Sequence, residues 1–144
     1  MSEAKEKLPL IITNLEKLRM KQANAAQKRW MKQIADFIEQ ESLGILYGSE
    51  FEGRKDFQLH HVLGRSAKHN KVPIGHWFII PVPVELHDVH SNHPDNVTHF
   101  KKNFAKRFGR QSQIFHDMVS HITWHETEIP VQEDVYNAIM DTNA

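Results

Sequence analysis

The chain has 144 residues, 40% of them hydrophobic and 25% charged, with a formal net charge of zero. That length and balance fit one domain able to bury a real core; no apolar run approaches the ~18 residues of a membrane helix, and no signal-peptide pattern opens the sequence, so a cytoplasmic protein without a membrane partner is expected. With no cysteine there is no disulfide and no thiolate metal site, so any metal must be held by His, Asp or Glu.

Residues 1–12 pass from polar to apolar and read as a loosely attached arm. Thr13 with Glu16 has the capping-box pattern that opens a helix. Along that helix Leu15, Leu18, Ala23, Ala26, Trp30, Ile34, Phe37 and Ile38 share one face. Gly44, Gly48 and Gly53 break the chain into turns before a first strand over Phe57–Leu63. Turn chemistry fills Asn70 to Gly75. A second strand starts at Trp77, held short or to an edge position by Pro81. Pro83 then suits the first turn of a helix spanning Glu85 to Ser91, about two turns, which His93-Pro94 stops. Asp95 or Asn96 caps a helix with Val97, Phe100, Phe104 and Phe108 on one side and Gly109 at its end. Further helices start at Ser112, with Ile114, Phe115, Met118, Val119 and Ile122 inward, and at Pro130, with Val131, Val135 and Ile139 inward.

Charge is unevenly spread. Residues 15–32 carry Lys17, Arg19, Lys21, Lys28, Arg29 and Lys32 against Glu16 alone, and residues 99–110 carry Lys101, Lys102, Lys106, Arg107 and Arg110 with no acid. Either run is a solvated helix face or a phosphate-binding face. Arg65 and Lys68, in the loop after the first strand, carry the same two readings.

Histidine is the residue out of proportion: seven of the 11 lie between Phe57 and His93. Neutral imidazole is both a metal ligand and a general base. His87 and His90, three apart on the expected helix, would share a face and could share an ion. Adjacent strand residues point to opposite faces, so only one of His60 and His61 can join them while the other faces a substrate. A histidine beside a metal-bound phosphate is what phosphodiester hydrolysis requires. His121 and His125, four apart with Glu126 adjacent, have ligand spacing but no complementary strand; His69, His99 and His116 read as ordinary surface or core residues.

The stretch HHVLGRS…HWFIIPVPVELHDVH resembles the His-Me finger (ββα-metal, HNH) endonucleases, most of all the branch containing the phage RecA-dependent nuclease Ref. The resemblance covers residues 57–100. It implies an α+β fold in which a unit of two short strands and a helix is embedded among several α-helices. The single domain 1–144 then divides into an N-terminal arm and long helix (1–50), the nuclease core (57–100) and C-terminal helices (100–144).

By position the resemblance implies His61 as general base, supported by His76 or less directly by Asn70. It implies His60 and His87 as metal ligands, with His90 or His93 as the third. One divalent ion (Mg²⁺, Mn²⁺ or Zn²⁺) is the implied cofactor. DNA is the implied partner, a RecA–DNA filament if the relation to Ref is close, and the host cytoplasm the implied location. The alternative is a non-catalytic DNA- or protein-binding module stabilised by zinc, with His60, His87, His90 and His93 closing its shell. A third reading is a regulator that uses the fold only as a scaffold. Three features depart from the family pattern: the middle position, usually Asn or Asp, falls near His76, the CxxC pairs of many relatives are absent, and the helix ligands are three rather than four apart.

Overall fold

A computed structural model describes residues 22–125 and 128–144. Within them the fold is mixed α+β, with six α-helices and two small antiparallel sheets. The expected arm, the Thr13/Glu16 capping box and the leucines after it lie outside the described residues. The helix that carries Trp30, Ile34, Phe37 and Ile38, α1 (Ala25–Glu41), opens at Asn24. There the Asn24 side chain accepts from Gln27 N and the Gln27 side chain accepts from Asn24 N, both at 2.8 Å, a capping box of its own.

A short helix α2 (Gly44–Tyr47) and a 3-10 turn, Ser49–Phe51, lead into β1 (Phe57–His61). Then come β2 (Lys68–His69), β3 (Val72–Pro73) and β4 (Ile79–Pro83). β1 pairs with β4 in antiparallel register, His60 opposite Ile80 and His61 opposite Ile79. β4 reads IIPVP and is buried along its whole length. In a sheet of two strands its far edge has no partner strand, which is how Pro81 is tolerated. The Tyr47 hydroxyl donates to the Pro81 carbonyl at 2.6 Å, satisfying it. The strand starts two residues later than the apolar run predicts. Trp77 instead lies in the preceding turn, where its carbonyl accepts from Trp30 Nε1 at 3.1 Å.

The β2–β3 hairpin is a local feature that the expected loop does not contain. Asn70 and Lys71 both take positive φ (49° and 68°), the backbone of a two-residue hairpin turn. Directly after β4 comes α3 (Val84–His87), a single turn, followed by α4 (Lys101–Phe108), α5 (Gln111–His125) and α6 (Glu133–Asp141). One hydrophobic cluster joins Trp30, Ile34 and Ile38 of α1, Phe78, Ile80 and Val82 of β4 and its approach, and Phe115, Met118 and Ile122 of α5. The Phe115 ring meets both Trp30 (6.2 Å, 73°) and Phe78 (5.6 Å, 72°) edge to face. Among the described residues no helix is long and apolar enough to cross a membrane.

The predicted helix over Glu85–Ser91 stops at His87, and the cause is competition for its carbonyls. Leu86 O accepts from Val97 N at 2.6 Å. Glu85 O accepts from the Ser91 hydroxyl and from Asn96 Nδ2. Asp88 Oδ1 takes His90 N at 2.8 Å. The groups that would have continued the helix are thus claimed by side chains and by the backbone N–H of Val97 in the turn that follows. Asn96, fully buried, also accepts from Thr98 N (2.8 Å) and His99 N (3.2 Å), so it closes the turn over residues 96–99 rather than capping the helix: α4 starts only at Lys101, with Phe100 at its N-cap and no side-chain cap, and Val97 lies before it.

Candidate active site

The end of β1, the turn before β4 and the single turn of α3 converge on four imidazoles. Strand alternation sends His60 and Gln58 to one face and His61 to the other. On the first face the rings of His60 and His87 lie 5.0 Å apart, tilted by 64°. His87 Nδ1 sits 2.6 Å from Gln58 Oε1. An amide oxygen only accepts, so Nδ1 carries the proton and Nε2 keeps its lone pair. His60 Nε2 is buried without a hydrogen-bond partner. Gln111 of α5 reaches toward this ring and favours its protonated form, yet Gln111 Oε1 is itself left without a bonded partner.

On the other face His61 Nε2 lies 3.0 Å from His76 Nδ1, with the rings 5.0 Å apart and nearly perpendicular at 83°. His76 is only 5% exposed, and its Nε2 is also buried and unpartnered. Its position is set by backbone. Ile74 N and Gly75 N both donate to Ala67 O, at 2.9 and 3.1 Å. Gly75 lies so close to the preceding loop that a Cβ there would sit 1.9 Å from Arg65 O.

Burial keeps the His60, His61 and His87 rings neutral. It pushes His60 down to about 4, and the nearby charges of His87 and Lys101 press the same way. It pushes His61 down to about 4 as well, helped by His76, Arg65 and His87. His87 is lowered by burial, partly offset by Asp88.

α3 is held against β1 by charge. Arg54 grips Glu85 with two bonds of 2.5 and 2.7 Å and Asp56 with another of 2.8 Å. That guanidinium holds both carboxyls below the usual range. Thr98 Oγ1 donates to His87 O at 2.7 Å.

The other expected residues fall elsewhere. Because α3 ends at His87, His90 is exposed in the turn beyond it rather than one helical turn along the same face. His93 belongs to a local turn, its Nδ1 accepting from Asp95 N at 3.0 Å. Among the described residues no group of three or more His, Asp or Glu is placed to hold an ion. Two nitrogen donors therefore remain, His60 and His87. Their unpartnered and lone-pair-bearing nitrogens suit a borderline cation such as Zn²⁺ better than oxygen-seeking Mg²⁺ or Mn²⁺.

Lys101, Lys102 and Lys106 are exposed on α4, Lys101 close enough to His60 to affect its charge. Arg107 is engaged by Asp95 at 2.8 Å and by Glu50, and lies over the Phe108 ring, so it is not offered to phosphate. Arg65 and Lys68 are exposed, and Asn70 bonds Asp141 rather than the base.

His121 stacks on Phe37 and His125 faces Glu41 at 3.9 Å, two separate environments. His69 pairs with Asp141 at 2.8 Å, His99 with Val89 O at 2.8 Å and His116 with the Tyr136 hydroxyl.

Sequence reasoning missed Gln58 and Gln111. The first carries a signal, since it lies two residues before His60 on the same strand face. The second reaches the site from an element distant in the chain, and no local pattern marks it. Compared with known proteins, the chain matches no family model, no curated protein and no solved structure, so what the site does rests on its own geometry.

Proposed function

We propose that the chain is a metal-dependent endonuclease that hydrolyses DNA phosphodiester bonds, with His61 as general base and His60 and His87 as the protein donors to one divalent ion. One observation carries the reading: two adjacent strand histidines feed two separate imidazole pairs, His60 with His87 and His61 with His76. A ligand pair thus stands beside a base pair, the division of labour that metal-assisted hydrolysis needs.

His76 occupies Nε2 of His61, so Nδ1 is the nitrogen left to take a proton from water. For that lone pair to exist, His61 Nε2–H donates to His76 Nδ1, and His76 then carries its own proton on Nε2. Burial keeps His61 unprotonated at neutral pH but makes it a weak base. A phosphate anion arriving beside it raises its affinity for the proton at the moment it is required. A divalent cation at His60 and His87 supplies stabilisation of the charge that builds on the phosphate and the departing oxygen. Lys101 on the same face and Arg65 on the other flank the two pairs with positive charge.

The test is cleavage of supercoiled plasmid with Mg²⁺, Mn²⁺ or Zn²⁺, with a RecA-coated strand as a second substrate. Nicked or linear product should depend on metal and vanish with a chelator. His61→Ala should slow it by about 10²–10⁴-fold. Cleavage that proceeds unchanged in His61→Ala removes the assigned base and this reading with it.

A further inference from the structure

Beside His76 the described residues enclose a cleft of ≈ 450 Å³. Its walls include Gln22, Asn24 and Gln27 at the start of α1, Arg65, Gly75 and His76. That volume is in the range of a small-ligand site. None of the described residues lining it is acidic. Arg65 has no carboxylate partner among the described residues, and its charge is felt by His61. α1 is 17 residues long, and although Asn24 and Gln27 form its capping box, no acid in its first turn offsets the positive end of its dipole at the cleft. The fourth feature is independent of the helix: His76, only 5% exposed, keeps Nε2 buried without a partner. A buried ring donor with nothing to donate to is an open position for an acceptor.

We propose that this cleft takes a phosphate group of the nucleic-acid substrate, held by the Arg65 guanidinium and by the Nε2–H of His76, next to rather than at the bond being cut. The proposal deepens the nuclease reading and rests on it for the choice of nucleic acid as the source of the phosphate. It also gives the second phosphate a task. An anion accepting from His76 Nε2–H fixes the proton on that nitrogen, so His76 Nδ1 must accept from His61 Nε2–H. His61 Nδ1 is then left with its lone pair. Occupancy of the cleft thus selects the tautomer in which the base can work, and a substrate too short to reach the cleft does not.

The cleft's neighbours explain why only this loop arrangement provides it. Gly75 lets the Gly64–Arg65 backbone approach so closely that a Cβ would meet Arg65 O at 1.9 Å and Gly64 O at 2.9 Å. That approach puts Arg65 and His76 on one wall. Arg65 is therefore a binding residue of the cleft, and His76 a positioning residue for the base.

Binding is measured on the metal-free full chain in the presence of a chelator, so that it does not depend on cleavage. The probes are a thymidine dinucleotide, the same dinucleotide with a 5′-phosphate, and inorganic phosphate. The readouts are the dissociation constant and the histidine ring resonances. Both dinucleotides binding alike, with the His76 ring signals moved and affinity reduced about tenfold in Arg65→Gln, identifies the phosphate as an in-strand phosphodiester. Binding only of the 5′-phosphorylated probe and inorganic phosphate, with the same dependence on Arg65, supports the cleft and makes its ligand a terminal phosphate. Absence of binding, or binding indifferent to Arg65→Gln that leaves the His76 ring unmoved, overturns the proposal. Retained binding in a protein that cleaves no DNA would remove the nuclease reading and leave the phosphate site standing.

Discussion

Replacing Gly75 with alanine tests the backbone contact on which the whole base side of the site depends. The added Cβ would stand 1.9 Å from Arg65 O and 2.4 Å from Arg65 C, and both are main-chain atoms that no rotamer change can move. Reaching even 3.0 Å from 1.9 Å means a retreat of about 1.1 Å by one of the two segments. A shift of that size pulls Ile74 N and Gly75 N away from Ala67 O, now at 2.9 and 3.1 Å. Two hydrogen bonds weakened at about 1 kcal/mol each, plus overpacking of about 1–3 kcal/mol, give a loss of about 3–5 kcal/mol. For a domain of this size that lowers Tm by about 10–20 °C. Urea unfolding followed by tryptophan fluorescence measures it directly, because Trp77 lies two residues away and Trp30 bonds its carbonyl. Gly64→Ala is the control: φ is +93° but nothing lies within 4 Å of its Cβ, so only a left-handed backbone cost of about 1–2 kcal/mol applies. A Gly75→Ala loss below about 0.5 kcal/mol with an unchanged m-value would refute the close approach.

His60 and His61, each pushed down to about 4, bind fewer protons folded than unfolded between pH 4 and 6.5, so stability rises with pH across that window. Acidifying metal-free protein from pH 7 to 4 should remove about 3 kcal/mol through these two rings after discounting for their partial exposure. The loss should be largely absent in His60→Asn/His61→Asn; parallel pH profiles for the two proteins would contradict it. Gln58→Leu should weaken Zn²⁺ binding about 10–100-fold by releasing the tautomer of His87, whereas His90→Ala and His93→Ala should leave it unchanged in calorimetric titration; a large loss in either His variant would restore that residue to the site. Asn96→Ala should cost about 3 kcal/mol in urea unfolding, since the side chain is fully buried and ties Glu85 O, Asp88 O, Thr98 N and His99 N together. His60→Leu should raise the stability of metal-free protein by about 1 kcal/mol while abolishing Zn²⁺ binding; a destabilised variant would mean that the ring serves packing.

Much of the frame was legible because it is written in local patterns. The apolar runs around residues 57–63 and 77–82 pair as β1 and β4, and the facing stripes of α4 and α5 are buried at Phe104, Ile114, Phe115, Met118 and Ile122. The alternation of His60 and His61 follows from strand geometry alone. What was not legible depends on partners far along the chain. The length of α3 is decided by Ser91, Asn96 and Val97, which capture carbonyls that propensity assigns to the helix. That capture moved His90 off the face where spacing put it. The β2–β3 hairpin turns on Lys71 at a positive φ, a position where composition favours glycine or asparagine. The spacing of Gly64, Arg65 and Gly75 gives no sign that their backbones touch.

Four histidines packed together could be mere core, and the way their nitrogens are partnered argues otherwise. An imidazole kept for packing has its ring nitrogens satisfied, because a buried polar atom left alone costs about 1–3 kcal/mol. His69, His99 and His116, none of them buried, each still find a hydrogen-bond partner. His60 and His76 break that rule, each with Nε2 buried and alone, and they sit within one residue of His61 and in hydrogen-bond contact with it, respectively. Two such exceptions in one place, beside a third ring whose Nε2 lone pair is held open by Gln58, do not arise from packing optimisation. A leucine at either position would fill the space without the penalty. The arrangement is stable at neutral pH because burial keeps the His60 and His61 rings uncharged, and uncharged imidazole is the form that binds a cation or accepts a proton. Under the proposed nuclease reading, the orphaned nitrogens are the positions at which a ligand would complete the structure: a cation on the His60 side and a phosphate oxygen on the His76 side.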